Sequence, residues 1–157
     1  MLQRLSIRNY ALIDEMEMDF RPGLTIITGE TGSGKSILLD ALGLLLGDRA
    51  DSAALRDKQK KCILEARFDV SRYNLDAFFK DNDLDYDGSC ILRRELSPQG
   101  KSRSFINDTP VNLVQLRDLG NRLVDVHSQH DTLQLSESGF LTSLLDGTAG
   151  NKTLILK

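Results

Sequence analysis

The chain has 157 residues, 40% of them hydrophobic and 27% charged, with a formal net charge of −3. That balance suits one soluble globular domain with a sizeable core; it leaves no global basic field for nucleic acid, although a local basic patch can still meet DNA. No apolar run approaches the roughly 18 residues of a membrane span, Met1–Arg8 lacks the apolar stretch of a secretory leader, and Cys62 and Cys90 lie in apolar segments that fit a reducing cytoplasm.

Leu2–Ile7 alternates apolar and polar residues and predicts a strand with one exposed face. Leu12–Phe20 repeats the pattern, with Ile13, Met16, Met18 and Phe20 set among acids, and Arg21-Pro22-Gly23 predicts a turn. Leu24-Thr25-Ile26-Ile27-Thr28 is short, apolar and β-branched, the pattern of a buried parallel strand. Ile37–Leu46 is apolar on nearly every side and predicts a buried helix that stops at Gly47. Asp48–Lys61 reads as a surface loop. Lys61–Val70 alternates strictly, with Cys62, Leu64, Ala66, Phe68 and Val70 on one face.

Ser71–Lys80 predicts a short helix with Ser71 as its cap, followed by a turn over Asn82–Gly88. Ser89–Leu96 and Ser102–Asn107 read as a hairpin around Ser97-Pro98-Gln99-Gly100. A helix over Val111–Asn121, a short strand over Leu123–Val126 and a helix over Ser136–Leu145 follow. The order predicts an α/β P-loop NTPase lobe with a mixed sheet, an antiparallel subsheet and flanking helices.

Between the apolar strand and the helix lies Gly29-Glu30-Thr31-Gly32-Ser33-Gly34-Lys35-Ser36, a complete G-x-x-x-x-G-K-[ST] phosphate loop in its strand-loop-helix setting. Gly29, Gly32 and Gly34 let the backbone approach a phosphate closely, and successive N–H groups converge on the anion at the positive end of the helix. Lys35 is placed against the β- and γ-phosphates and the Ser36 hydroxyl on Mg²⁺. A Walker B acid for that metal is harder to find. Leu123-Val124-Asp125 and Leu144-Leu145-Asp146 are thin matches, and Asp125 reads as an ordinary strand-end residue. GTPase motifs fail: Asp146-Gly147-Thr148-Ala149 lacks the final Gly of D-x-x-G, and Asn151-Lys152-Thr153-Leu154 lacks the Asp of N-K-x-D. His127 and His130 have H-x-x-H spacing without enough further ligands for zinc.

Several stretches together resemble the RecN family of bacterial DNA repair proteins, SMC-like members of the ABC-type ATPases. They are Leu5–Ile13, Thr28–Ser36, Asp40–Ala50, Leu92-Arg93-Arg94, Gly100–Asn107 and Val126-His127-Ser128-Gln129-His130. In that group an N-terminal lobe carries the phosphate loop and Q-loop, and a C-terminal lobe carries the signature motif, Walker B and switch histidine. A long coiled coil separates the two lobes. The resemblance implies that Gln129 is the Q-loop glutamine, a Mg²⁺ ligand and water-positioning residue beside Lys35 and Ser36.

It further implies ATP and Mg²⁺ as cofactors, and three partners: the protein's own C-terminal lobe, a second head in a homodimer, and DNA. The location expected is cytoplasmic and nucleoid-associated, with no membrane. Residues 1–146 would be the N-terminal ATP-binding lobe and 147–157 the start of a linker toward the coiled coil. Lacking the other motifs, such a lobe is expected to bind nucleotide weakly and hydrolyse it negligibly alone. Two readings compete with this one: a free-standing P-loop kinase or small-molecule ATPase, and a non-catalytic nucleotide-binding module. Arg93, Arg94, Lys101 and Arg103 on the hairpin read either as a solvated charged face or as contacts to DNA phosphates. Arg49 and Arg56, after the phosphate-loop helix, read either as cations that suit the helix C-terminal dipole or, as the resemblance to SMC-like heads implies, as residues near nucleotide or DNA.

Overall fold

The computed structural model describes residues 1–29 and 34–126, whose elements lie in one compact unit, Met1–Asp125. Among the described residues six strands form one sheet: β1 (Leu2–Tyr10), β2 (Ile13–Asp19), β3 (Cys62–Asp69), β4 (Ser89–Leu96), β5 (Ser102–Ile106) and β6 (Thr109–Val111). Their spatial order is β2-β1-β3-β4-β5-β6, and every pairing is antiparallel. The helices are α1 (Lys35–Leu46), α2 (Asp76–Asp81) and α3 (Leu113–Leu123), with one 3-10 turn at Ser52–Ala54.

The period-two pattern of the central strands decides which face is buried. Leu5 and Ile7 of β1, Cys62, Leu64, Ala66 and Phe68 of β3, Cys90, Leu92 and Leu96 of β4, and Ile106 of β5 all point inward. Against them pack α1, through Ala41, Leu44, Leu45 and Leu46, and α3, through Leu116, Leu119 and Leu123. The opposite face carries paired charges, Arg4 with Glu17 and Asp19, and Arg8 with Glu15. Exposed pairs of this kind contribute little, about 0–1 kcal/mol each; they set register more than stability.

Several sequence expectations meet a different outcome. Leu24–Thr28 joins no strand among the described residues, and Leu24 and Ile26 are 88% and 72% exposed. An apolar extended segment becomes a strand only where neighbouring strands accept its hydrogen bonds. Among the described residues the parallel strand expected there is not found, and the described sheet is wholly antiparallel. Ser71 does not cap a helix: its N–H and hydroxyl both donate to Asp69 Oδ1 in a turn, and α2 starts later, at Asp76. Residues 124–126 form no strand, because α3 runs on to Leu123. The edge strand β6 was not expected; Pro110 is tolerated there because an edge leaves one side of the ladder unpaired. The helix expected over 136–145 lies outside the described residues.

Asn9 fixes the long connection after α1. It is 5% exposed and holds φ 56°, a left-handed conformation that Asn tolerates better than most residues. Its Nδ2 donates to the carbonyls of Asp57 (3.0 Å), Lys60 (3.0 Å) and Lys61 (3.3 Å), and its Oδ1 accepts from the Asp57 N–H at 2.6 Å. Asn9→Ala would leave these backbone groups unpaired, at a cost of about 1–3 kcal/mol. Hydrogen exchange should then speed up at the Asp57 amide; unchanged protection there would contradict the anchoring role.

Candidate nucleotide site

The site is built at the start of α1. Gly34 caps the helix with φ 92° and ψ 5°, and a Cβ there would meet nothing nearer than Ile37 Cδ1 at 3.9 Å. Glycine is required at this turn by the left-handed backbone, not by crowding. Lys35 and Ser36 form the first helical turn, which contains no acidic side chain to compete with an incoming anion. The Lys35 ammonium donates to the Gly29 carbonyl, so the two ends of the phosphate loop are tied together by its own lysine. Ser36 is exposed, with its hydroxyl open to a ligand. The arrangement offers one fixed cation, one hydroxyl and the positive end of a helix, all suited to phosphate and a hard divalent ion.

Glu30, Thr31, Gly32 and Ser33 lie outside the described residues, and so do Gln129, His127, His130 and Asp146. Asp125 is exposed in the irregular chain that follows α3. Among the described residues no group of three His, Cys, Asp or Glu could hold a metal ion, and no helix is long and apolar enough to cross a membrane. Burial pushes the Cys62 and Cys90 thiols up to about 12, so neither is a thiolate ligand or nucleophile at neutral pH.

The far end of α1 is held more elaborately than its start. Gly47, at φ 116°, closes a Schellman motif: its N–H bonds Leu44 O at 3.3 Å, and the Asp48 N–H bonds Gly43 O at 3.0 Å. Arg94 Nη1 then donates to Leu44 O (2.8 Å) and Asp48 O (3.2 Å), and Arg117 Nη2 donates to Gly47 O (2.7 Å). Two cations thus sit at the negative end of the helix dipole. Burial lowers the Arg94 pKa from its ordinary value, the charge of Arg117 adds to this, and Asp48 opposes both.

These contacts correct the reading of Arg94 as a DNA contact. It is 2% exposed, on the inward side of β4, and its hydrogen bonds are spent inside the protein. Arg93 faces outward but is matched by Asp108 (2.9 Å) and Glu95 (3.6 Å), and it lies 4.5 Å from the centre of the Phe105 ring. Lys101 and Arg103 remain on the surface at the hairpin turn, where they line a cleft with Lys61, Ser97, Gln99 and a single carboxylate, Glu95. Arg56 donates to Leu12 O at 3.3 Å and so braces the β1–β2 turn, and Arg49 is exposed.

The motif-based reading passed over Arg117 and missed the anchoring roles of Arg94 and Asn9. Strand parity alone would have found Arg94, since Cys90, Leu92 and Leu96 share its face.

Gly120 completes the seat of α1. A Cβ there would come within 2.8 Å of the Leu46 carbonyl oxygen, so α3 packs on α1 backbone to backbone. Gly120→Ala should cost about 1–3 kcal/mol by overpacking. A drop in thermal midpoint reads it out, and an unchanged midpoint would contradict the close approach.

Comparison with known proteins places this geometry. The model of the AAA domain family matches residues 4–140. The DNA repair protein RecN of Vibrio cholerae is 42% identical over 156 residues, covering 99% of this chain and 28% of that protein. RecN of Bacillus subtilis is 40% identical over 152 residues, covering 96% and 26%. The chain therefore spans under a third of the length of these curated relatives.

Among solved structures, an SMC ATPase studied for ATP-driven dimerization and DNA-stimulated activation superposes with a TM-score of 0.62 at 20% identity, covering 89% of this chain and 90% of that one. The recombination mediator protein RecF bound to ATPrS gives 0.57 at 15% identity, covering 74% and 29%. The fold is that seen in SMC heads, the chain is similar to the first part of RecN proteins, and it belongs to the AAA domain family.

Proposed function

We propose that this chain is the N-terminal ATP-binding lobe of a RecN-like DNA repair ATPase. The observation that carries the reading is the phosphate loop itself: Gly34, Lys35 and Ser36 open α1 on a lobe whose fold matches SMC heads. Leu24, Ile26 and Ile27, exposed immediately before that loop, support a further part of the protein packing against this edge. In the proposed head, Gly29–Ser36 cradles the ATP phosphates, Lys35 neutralises them, and Ser36 and Gln129 supply oxygen ligands for Mg²⁺. Bound Mg²⁺ would offset the charge that develops on the phosphates. Gln129 would orient the attacking water.

The signature motif, Walker B acid and switch histidine would come from the C-terminal lobe and a second head, so that ATP binding drives head engagement and hydrolysis follows. The free-standing kinase reading finds no support in these relatives. In the full-length protein, Lys35→Ala should abolish ATP turnover while the fold persists. Turnover within a factor of about two of the wild type would overturn the assignment of this loop.

DNA is the proposed macromolecular partner. Support comes from Lys101 and Arg103, which line a cleft at the β4–β5 turn whose single carboxylate, Glu95, is already paired with Lys61 and Arg93, whereas Arg4, Arg8 and Arg93 are each matched by acids. Removing Lys101 and Arg103 together should reduce the salt slope of DNA binding by the full-length protein, by about one for each phosphate these side chains neutralise. An unchanged slope removes this patch from the interface.

A further inference from the structure

Arg94 is the largest fully buried side chain among the described residues, and it carries a charge. None of the hydrogen bonds found for it goes to a carboxylate: Nε donates to Ser102 Oγ at 2.8 Å, and Nη1 donates to the carbonyls of Leu44 and Asp48. At an inward position of a strand whose other inward residues are Cys90, Leu92 and Leu96, an apolar side chain would fill the space without the cost of desolvating a cation. What an apolar residue cannot do is join three groups at once. The planar fork of the guanidinium reaches the hairpin with one nitrogen and the end of α1 with another.

The joined elements matter because α1 carries Lys35 and Ser36 at its other end. Its 12 residues span about 18 Å, so a tilt of about 3° pivoting at the C-terminal end moves the first turn by about 1 Å. Misplacement on that scale, caused far from the chemistry, can cost a reaction about a hundredfold. Ser102, at the other end of the link, opens β5 between Lys101 and Arg103.

We propose that Arg94 is a positioning residue for nucleotide hydrolysis, setting the phosphate-loop helix at a fixed angle to the β4–β5 hairpin through Ser102 Oγ and the Leu44 and Asp48 carbonyls. The proposal rests on the ATPase reading given above. Phosphate binding depends mainly on the loop, so the link governs the precision of Lys35 and Ser36 in the transition state more than ground-state affinity.

Steady-state ATP turnover by the full-length protein tests it, with the thermal midpoint measured beside it. Arg94→Lys keeps the charge but not the fork, and kcat should fall about tenfold with KM within about twofold. Ser102→Ala, a milder change at the surface end of the link, should lower kcat about threefold, and Ser102→Thr, which keeps the hydroxyl, should restore it. If both Arg94→Lys and Ser102→Ala lower only the thermal midpoint and leave kcat within about twofold, Arg94 is structural and the proposal falls. A wild-type protein that never turns over ATP would overturn the ATPase reading as well; wild-type turnover with unaffected variants overturns this inference alone.

Discussion

The α1 helix is tied to its neighbours at the end away from Lys35 and Ser36. Here that end is Leu44–Asp48, where the last carbonyls receive Arg94 from the sheet and Arg117 from α3. The glycine at Gly47 and the absence of a side chain at Gly120 let α3 approach the helix backbone directly. The central strands β3 and β4 supply the apolar floor on which α1 lies. At the opposite end Ser36 is exposed and Lys35 is half-buried, with its ammonium on the Gly29 carbonyl.

The two faces of the sheet do different work. The inner face is almost wholly apolar and is covered by α1 and α3. The outer face is a checkerboard of arginine and carboxylate that nearly cancels, except at the turn carrying Lys101 and Arg103. A chain with net charge −3 can therefore still present a local cationic corner.

Much of this was legible in the sequence. Alternation in Lys61–Val70 located β3 and its buried face, because a strand with one wet face has no other way to satisfy both environments, and the hairpin pattern of Ser89–Leu96 located β4. The Gly47 stop and the Ser97–Gly100 turn followed from the backbone freedom of glycine. The capping box of Asn112 and Gln115 was equally readable and would have placed the start of α3 correctly. The failures have physical causes. Arg94 was assigned to the surface by its charge although its strand parity pointed inward. Leu24–Thr28 has the composition of a strand, but pairing depends on neighbours that its own sequence does not contain. Asn9 carried no local signal, since its four hydrogen bonds reach a loop about fifty residues away.

The uncovered apolar stretch at Leu24–Ile27 and the phosphate loop that follows it fit a nucleotide site completed from elsewhere in the protein. In such a site Lys35 and Ser36 would supply the phosphate and metal side, and Gln129 would orient the water. The most direct measurement is ATP turnover by the 157-residue chain beside that of the full-length protein at equal concentration. A composite site requires turnover by the full-length protein and none above background by the isolated chain. Equal turnover by the two would contradict it.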